Sequence, residues 1–155
     1  MSLNIRIGIE TDIPQALLLV KELATYEKAP NEVEVTVDEM LNWGFGPKKQ
    51  FDFFVALEND AIVGLALYYY KYSTWKGKCL FLEDIIVTES QRGKGLGKLL
   101  FDKVVTVAKE QKVRRMEWQV LDWNTRAIEF YKKYDATLDG EWVNCKLTNH
   151  QLEKM

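Results

Sequence analysis

Apolar positions recur along this chain with two spacings, two and about 3.6 residues, and the switches between them mark the elements. "NIRIGIE" alternates Ile5, Ile7 and Ile9 on one side, the pattern of a half-buried strand. "TDIPQALLLVKELATYE" follows, with Thr11 or Asp12 as N-cap, Pro14 in the first turn and Ile13, Ala16, Leu17, Val20 and Ala24 at helical spacing. A polar, acid-bearing stretch, "APNEVEVT", leads into a second short helix, "VDEMLNWGF", closed by Gly44 and Gly46. "FDFFVAL", a turn at "END" and "AIVGLALYYYKY" predict a hairpin, because both arms are rich in β-branched and aromatic residues. The apolar run of "KCLFLEDIIV" has few polar breaks and predicts a central strand. Leu96, Leu99, Leu100, Val104, Val107 and Ala108 then form one helical stripe, with Lys98, Asp102, Lys103 and Lys109 turned away from it. A strand at "RMEWQVL", a helix at "TRAIEFYKKY" and a last strand at "EWVNCKL" complete the order β-α-α-β-β-β-α-β-α-β. The expected class is α/β, in the sense of a mixed α+β sheet with flanking helices, and no linker or repeat interrupts it.

Composition narrows the function. At 155 residues and 47% hydrophobic, the chain can bury one core but is short for two, so residues 1–155 are expected to form a single domain. A formal charge of -2 provides no overall basic field for nucleic acid or an anionic membrane. Cys79 and Cys145 lie far apart without metal-like spacing, and His150 is the only histidine. Zinc sites, Cys/His pairs and Ser-His-Asp triads therefore lack parts, and no metal is expected. No run reaches the ~20 apolar residues of a membrane helix, and "MSLNIRIGIE" has no signal-like core. The expectation is a soluble, cytoplasmic protein with reduced thiols.

"QRGKGLG", residues 91–97, joins an apolar strand to a helix. Unpaired N–H groups at a helix start, a positive dipole end and glycines that admit close approach make an anion site, with Arg92, Lys94 and Lys98 adding charge. The target is a phosphate or pyrophosphate. The spacing does not fit a P-loop, and glycines at 93, 95 and 97 come too late in the chain for a dinucleotide fingerprint. A loop that only turns the chain is the plainer alternative.

This segment is similar to the Q/R-x-x-G-x-G/A signature of the GNAT N-acetyltransferases, and the element order resembles theirs over nearly the whole chain. The resemblance implies a GNAT-like fold with acetyl-CoA as co-substrate. Its pyrophosphate would lie on Arg92, Gly93, Lys94, Gly95, Leu96, Gly97 and Lys98. Pantetheine and thioester would run along Ile85, Ile86 and Val87, with Asn124 and Ala127 adding contacts from the later helix. "ELATYE", "GFG", "ALYYYKYSTWKGK", "LEDIIV" and "WNTRAIEFYKKYDA" resemble the diamine (spermidine/spermine) branch. That branch implies a polyamine, a diamine or a lysine-like amine as acceptor, and a homodimer. Asp135 stands where the family commonly has glycine, and Asp tolerates the left-handed conformation better than most residues.

A primary alkylamine has a pKa of ~10.4, so at neutral pH it needs a base before it can attack. Glu83 and Asp84 are adjacent in an apolar strand, where strict alternation sends them to opposite faces and charge is costly unless paired or functional. From the residues alone, Glu83 reads equally as a buried salt bridge or a base; the resemblance implies a functional Glu at this position. Tyr131 falls in register with Asn124, Ala127 and Ile128, as core or as catalyst, and the resemblance implies the general acid for the leaving thiolate. Glu27, Glu32, Glu34 and Asp38, with Tyr26 and Trp75, form an acidic and aromatic neighbourhood for an alkylammonium, although a solvated face explains most such acids. Tyr26, Glu27, Trp75, Glu83 and Asp84 are the expected acceptor contacts. Two alternatives stay open: another acceptor, such as an amino acid, an aminoglycoside or a protein amine, and a non-catalytic CoA-binding protein. Intact Glu83 and Tyr131 argue against the second.

Overall fold

The structure, a computed structural model, describes residues 2–155. It divides after Gln119 into two compact units.

The first unit is built on a sheet ordered β1-β2-β3-β4-β5: β1 (Leu3–Ile7), β2 (Asp52–Glu58), β3 (Ala61–Ser73), β4 (Gly77–Val87) and β5 (Met116–Glu117). β1 to β4 are antiparallel, and β5 joins β4 in parallel. The β2–β3 hairpin turns through Asn59 and Asp60, both at positive φ (49° and 69°), the two-residue turn whose twist matches its strands. Helices α1 (Ile13–Tyr26) and α2 (Val37–Phe45) precede β2, and α3 (Leu96–Glu110) follows β4.

Sequence periodicity explains how the layers meet. Ile13, Ala16, Leu17 and Leu19 of α1 and Met40 of α2 pack on Phe53, Val55, Leu57, Leu65, Leu67 and Ile86 of the sheet. A Cβ built on Gly64 would stand 3.1 Å from Leu100 Cδ1 of α3. Because Gly64 and Leu65 point to opposite faces, α1 and α2 cover one side of the sheet and α3 the other. Leu96, Leu100, Phe101, Val104 and Ala108 are the buried stripe of α3. Each such aliphatic side chain contributes about 1.5–3 kcal/mol on burial. Asp12 is the N-cap of α1, but its side chain serves the approach to the helix instead. Arg6 donates to it at 2.7 and 3.0 Å, and Ile9 N–H donates at 2.8 Å. Those bonds hold the carboxyl below its ordinary pKa.

The second unit contains α4 (Thr125–Lys132) and α5 (Asn149–Glu153). Asn124 caps α4 by accepting the Ala127 N–H at 3.2 Å, and Asp135 has φ 56°, the left-handed turn expected of it.

Four expectations need correction. "EWVNCKL" forms no strand: it is irregular, exposed and outside every described ladder, with Trp142 and Val143 73% and 83% exposed. β-propensity alone makes no strand where no neighbouring edge pairs with it. "RMEWQVL" shrinks to Met116–Glu117, the two residues that pair with β4. Ile7 at the end of β1 and Ile9 beyond it are exposed, because β1 is the outer strand and stops at Ile7. On α3, Phe101 is buried while Leu99 is exposed, which rotates the stripe by part of a turn.

Candidate active site

The end of β4, the loop after it and the C-terminal half of α1 bring most of the expected residues of the first unit together. β4 pairs with β3 from Gly64↔Val87 to Leu67↔Asp84 and resumes at Tyr68↔Leu82. Glu83 is therefore the extra residue of a β-bulge, the device that re-aims side chains and interrupts a ladder. The expectation that Glu83 and Asp84 face apart fails here, since the bulge breaks alternation between them. Burial raises the Tyr69 phenol, and the charges of both Glu83 and Asp84 raise it further. On its other edge β4 meets β5 only at Leu80 and Phe81. From Leu82 to Val87 that edge has no described strand partner, and the Val87 carbonyl accepts Arg92 Nε.

Glu27 ends α1 and bears on Asp84. Burial raises the Asp84 carboxyl to about 7, with the charges of Glu83 and Glu27 adding to the effect, and burial raises Glu83 and Glu27 as well. None of these three carboxylates has an ion pair or side-chain hydrogen bond to a described residue. An acid whose folded pKa stands above its ordinary 3.8 costs stability as pH rises past 3.8, and the cost is complete above about 7. A bound ammonium offsets that cost, and unpaired acids of this kind, Glu27 and Asp84 half-buried and Glu83 exposed at the bulge, cluster at functional sites.

Glu32, Glu34 and Asp38 are exposed, the solvated face that most such acids form. Trp75 is 76% exposed in the β3–β4 turn, where Ser73 Oγ accepts the N–H groups of Trp75 and Lys76. Gly77 and Glu83 are six residues apart on β4, about 20 Å at strand rise, so Trp75 is not brought to the acids. Tyr26 carries the Arg92 guanidinium over its ring, 5.2 Å from the centroid.

After β4, a short 3-10 turn (Glu89–Gln91) leads into the glycines. Gly93 and Gly95 have φ of 83° and 82°, and a Cβ on either would meet nothing within 4 Å. Gly95 is the N-cap of α3, and the N–H groups of Gly93, Gly95, Leu96 and Gly97 donate to no described acceptor. This open cradle of main-chain donors at a helix start fits a pyrophosphate. The cationic side chains are engaged within the protein. Arg92 Nε donates to Val87 O at 2.9 Å, Lys94 Nζ donates to Glu58 and Gln91, and Lys98 Nζ pairs with Asp102 at 2.6 Å. Ile85, Ile86 and Val87 lie on the open stretch of β4. In the second unit, Asn124 caps α4, Ala127 is its partner, and Tyr131 is buried on the same helix.

Sequence reasoning missed Tyr69, Glu22 and the bulge. Tyr69 lay inside an aromatic run that reads as core. Glu22 stands four and five residues before Tyr26 and Glu27, a helical spacing that could have singled it out.

With this geometry stand the known proteins that the chain resembles. Residues 18–135 match the Acetyltransferase (GNAT) family. The chain belongs to that family, whose members are acyltransferases that use acetyl-CoA as co-substrate. It is 37% identical over 140 residues to thialysine N-epsilon-acetyltransferase of Bos taurus, covering 85% of this chain and 82% of the relative. It is 35% identical over 132 residues to spermidine/spermine N(1)-acetyltransferase-like protein 1 of Homo sapiens, covering 81% of this chain and 19% of that protein. Among solved structures, an integron cassette protein from the mobile metagenome of V. cholerae shares the fold at a TM-score of 0.78 and 23% identity, covering 99% of this chain and 97% of that one. No helix among the described residues is long and apolar enough to cross a membrane.

Proposed function

We propose that this protein moves the acetyl group of acetyl-CoA to the terminal primary amine of a small cationic molecule, a lysine-like amine, a diamine or a polyamine. The observation that carries the reading is the group Glu27, Glu83 and Asp84. These acids sit without a described cation, Glu83 and Asp84 on the strand that leads directly into the pyrophosphate cradle and Glu27 at the end of α1 beside Asp84. The names of the relatives, thialysine and spermidine/spermine acetyltransferases, support the same acceptor class. The family match runs over residues 18–135, which supports reading the chain as one acetyltransferase domain. The resemblance also supports a homodimer.

Acetyl-CoA supplies an activated acyl carbon when bound; the residues do the rest. Main-chain donors from Gly93 to Lys98 hold the pyrophosphate, and the open edge at Ile85, Ile86 and Val87 receives pantetheine and directs an N–H at the thioester oxygen. Asn124 and Ala127 contribute from α4. Glu27 and Asp84 attract the ammonium, and Glu83, directly or through a water, removes its proton so that nitrogen can bond to the acyl carbon. The carbon–sulfur bond breaks as that bond forms. Tyr131 gives the departing thiolate its proton and recovers one through water from the nitrogen, which sheds its second proton once it is bonded to the acyl carbon; the first leaves Glu83 to solvent.

An acceptor panel tests this. With acetyl-CoA, thialysine, lysine, spermidine and a short diamine are expected to give kcat/KM at least ~10-fold above neutral or anionic amines of equal size, about the value of one charge-assisted contact. Equal rates for an uncharged or carboxylate-rich acceptor would remove the acidic group from substrate binding.

A further inference from the structure

One carboxylate on α1 gathers every segment that approaches the glycine cradle. Glu22 Oε1 accepts the Thr88 hydroxyl at 2.7 Å, and Oε2 accepts the Glu89 N–H at 3.1 Å. Arg92 Nη2 stands 3.6 Å from the same Oε2. The Arg92 side chain is further fixed by its bond to Val87 O and by the Tyr26 ring, one turn beyond Glu22 on α1. Residues 88, 89 and 92, the links between β4 and the glycines, are thus all tied to a single side chain. We infer that Glu22 is a positioning residue: it sets the approach of the loop so that the N–H groups of residues 93–97 converge on a pyrophosphate, and Arg92 acts as the brace between loop and helix. The inference rests on the reading of this loop as the CoA pyrophosphate site.

The relative strengths of the contacts define what a substitution does. The Glu22–Arg92 pair is partly exposed, with side-chain exposures of 35% and 28%, and at 3.6 Å it is the weakest of the three. The hydroxyl and N–H bonds to a charged acceptor are shorter, and their loss frees the first residues after β4. Glycines have no side chains to restore the geometry, so a loop that contains Gly93, Gly95 and Gly97 depends on such outside ties. Glu22 touches no reacting atom in this scheme. Its effect belongs in donor binding and not in the chemical step.

The test compares Glu22→Ala and Glu22→Gln with the parent, using calorimetry with CoA and initial rates with two donors, acetyl-CoA and acetyl-pantetheine, which lacks the pyrophosphate. Glu22→Ala is expected to weaken CoA about 10-fold and raise KM for acetyl-CoA in parallel, with kcat within about twofold. Its kcat/KM with acetyl-pantetheine should match the parent's. Glu22→Gln keeps a carbonyl acceptor and the side-chain shape, and should recover most of the affinity; if the alanine variant does not fold, Thr88→Val, which removes the 2.7 Å tie alone, should weaken CoA about threefold. Parent-like CoA affinity in folded Glu22→Ala, or in Thr88→Val where the alanine variant does not fold, would overturn the inference, as would an equal loss with both donors, which marks general loosening. A parent protein that itself binds no CoA would instead sink the functional reading on which the inference stands.

Discussion

Gly95→Glu is expected to abolish CoA binding in a protein that still folds. Gly95 has φ 82° at the start of α3, and a Cβ there meets nothing within 4 Å. The cost to folding is that of a left-handed non-glycine residue, about 1–2 kcal/mol, which a domain of this size tolerates. A carboxylate at a helix N-terminus is itself favourable to the dipole and offsets part of that cost. The same carboxylate occupies the space that the pyrophosphate needs and repels its charge. Calorimetry with CoA, beside a thermal melt, decides the matter: parent-like affinity in a folded variant means that the pyrophosphate lies elsewhere.

Tyr131→Phe is expected to lower kcat by ~10² or more, the scale of losing a general acid, while CoA affinity stays near the parent's. The phenylalanine ring keeps the buried volume on α4 and removes only the hydroxyl. A phenol of pKa ~10 donates to a thiolate whose conjugate acid has pKa ~8.5 through position and not through a favourable pKa gap. A melting temperature lowered by several degrees with unchanged activity per folded molecule would assign the hydroxyl to the core instead.

The fold was legible where burial and periodicity act over long segments. The helix at Val37–Phe45 and the hairpin about Asn59 and Asp60 follow from patterns that local chemistry enforces, an N-cap at Thr36 and a two-residue turn. The same holds for the glycine cradle, whose left-handed residues are all glycine. What could not be read depends on partners distant in sequence. "EWVNCKL" has strand composition, yet a strand needs an edge to pair with. Glu83 and Asp84 seemed to face apart because alternation holds only in a regular ladder, and the register shift opposite Leu67 and Tyr68 leaves no trace in composition. Arg92 read as a ligand for phosphate; its nearest partners are a carbonyl, a carboxylate on α1 and a tyrosine ring, and only the packing of α1 against the loop reveals them.

The central claim, that the acids at the end of β4 bind a cationic amine and take its proton, is tested most directly by the pH dependence of kcat/KM for the amine in parent and Glu83→Gln. Asp84 and Glu83 titrate as a coupled pair, and Asp84 is raised to about 7. The parent's kcat/KM should therefore rise through the region near neutrality as the pair loses protons, and continue to rise as free amine increases toward its own pKa of ~10.4. Glu83→Gln should fall at least ~10-fold below the parent near pH 7 and approach it only as the pH nears the amine's own pKa of ~10.4, where about half of the amine arrives already deprotonated. A variant whose profile matches the parent's in height and shape would contradict the account.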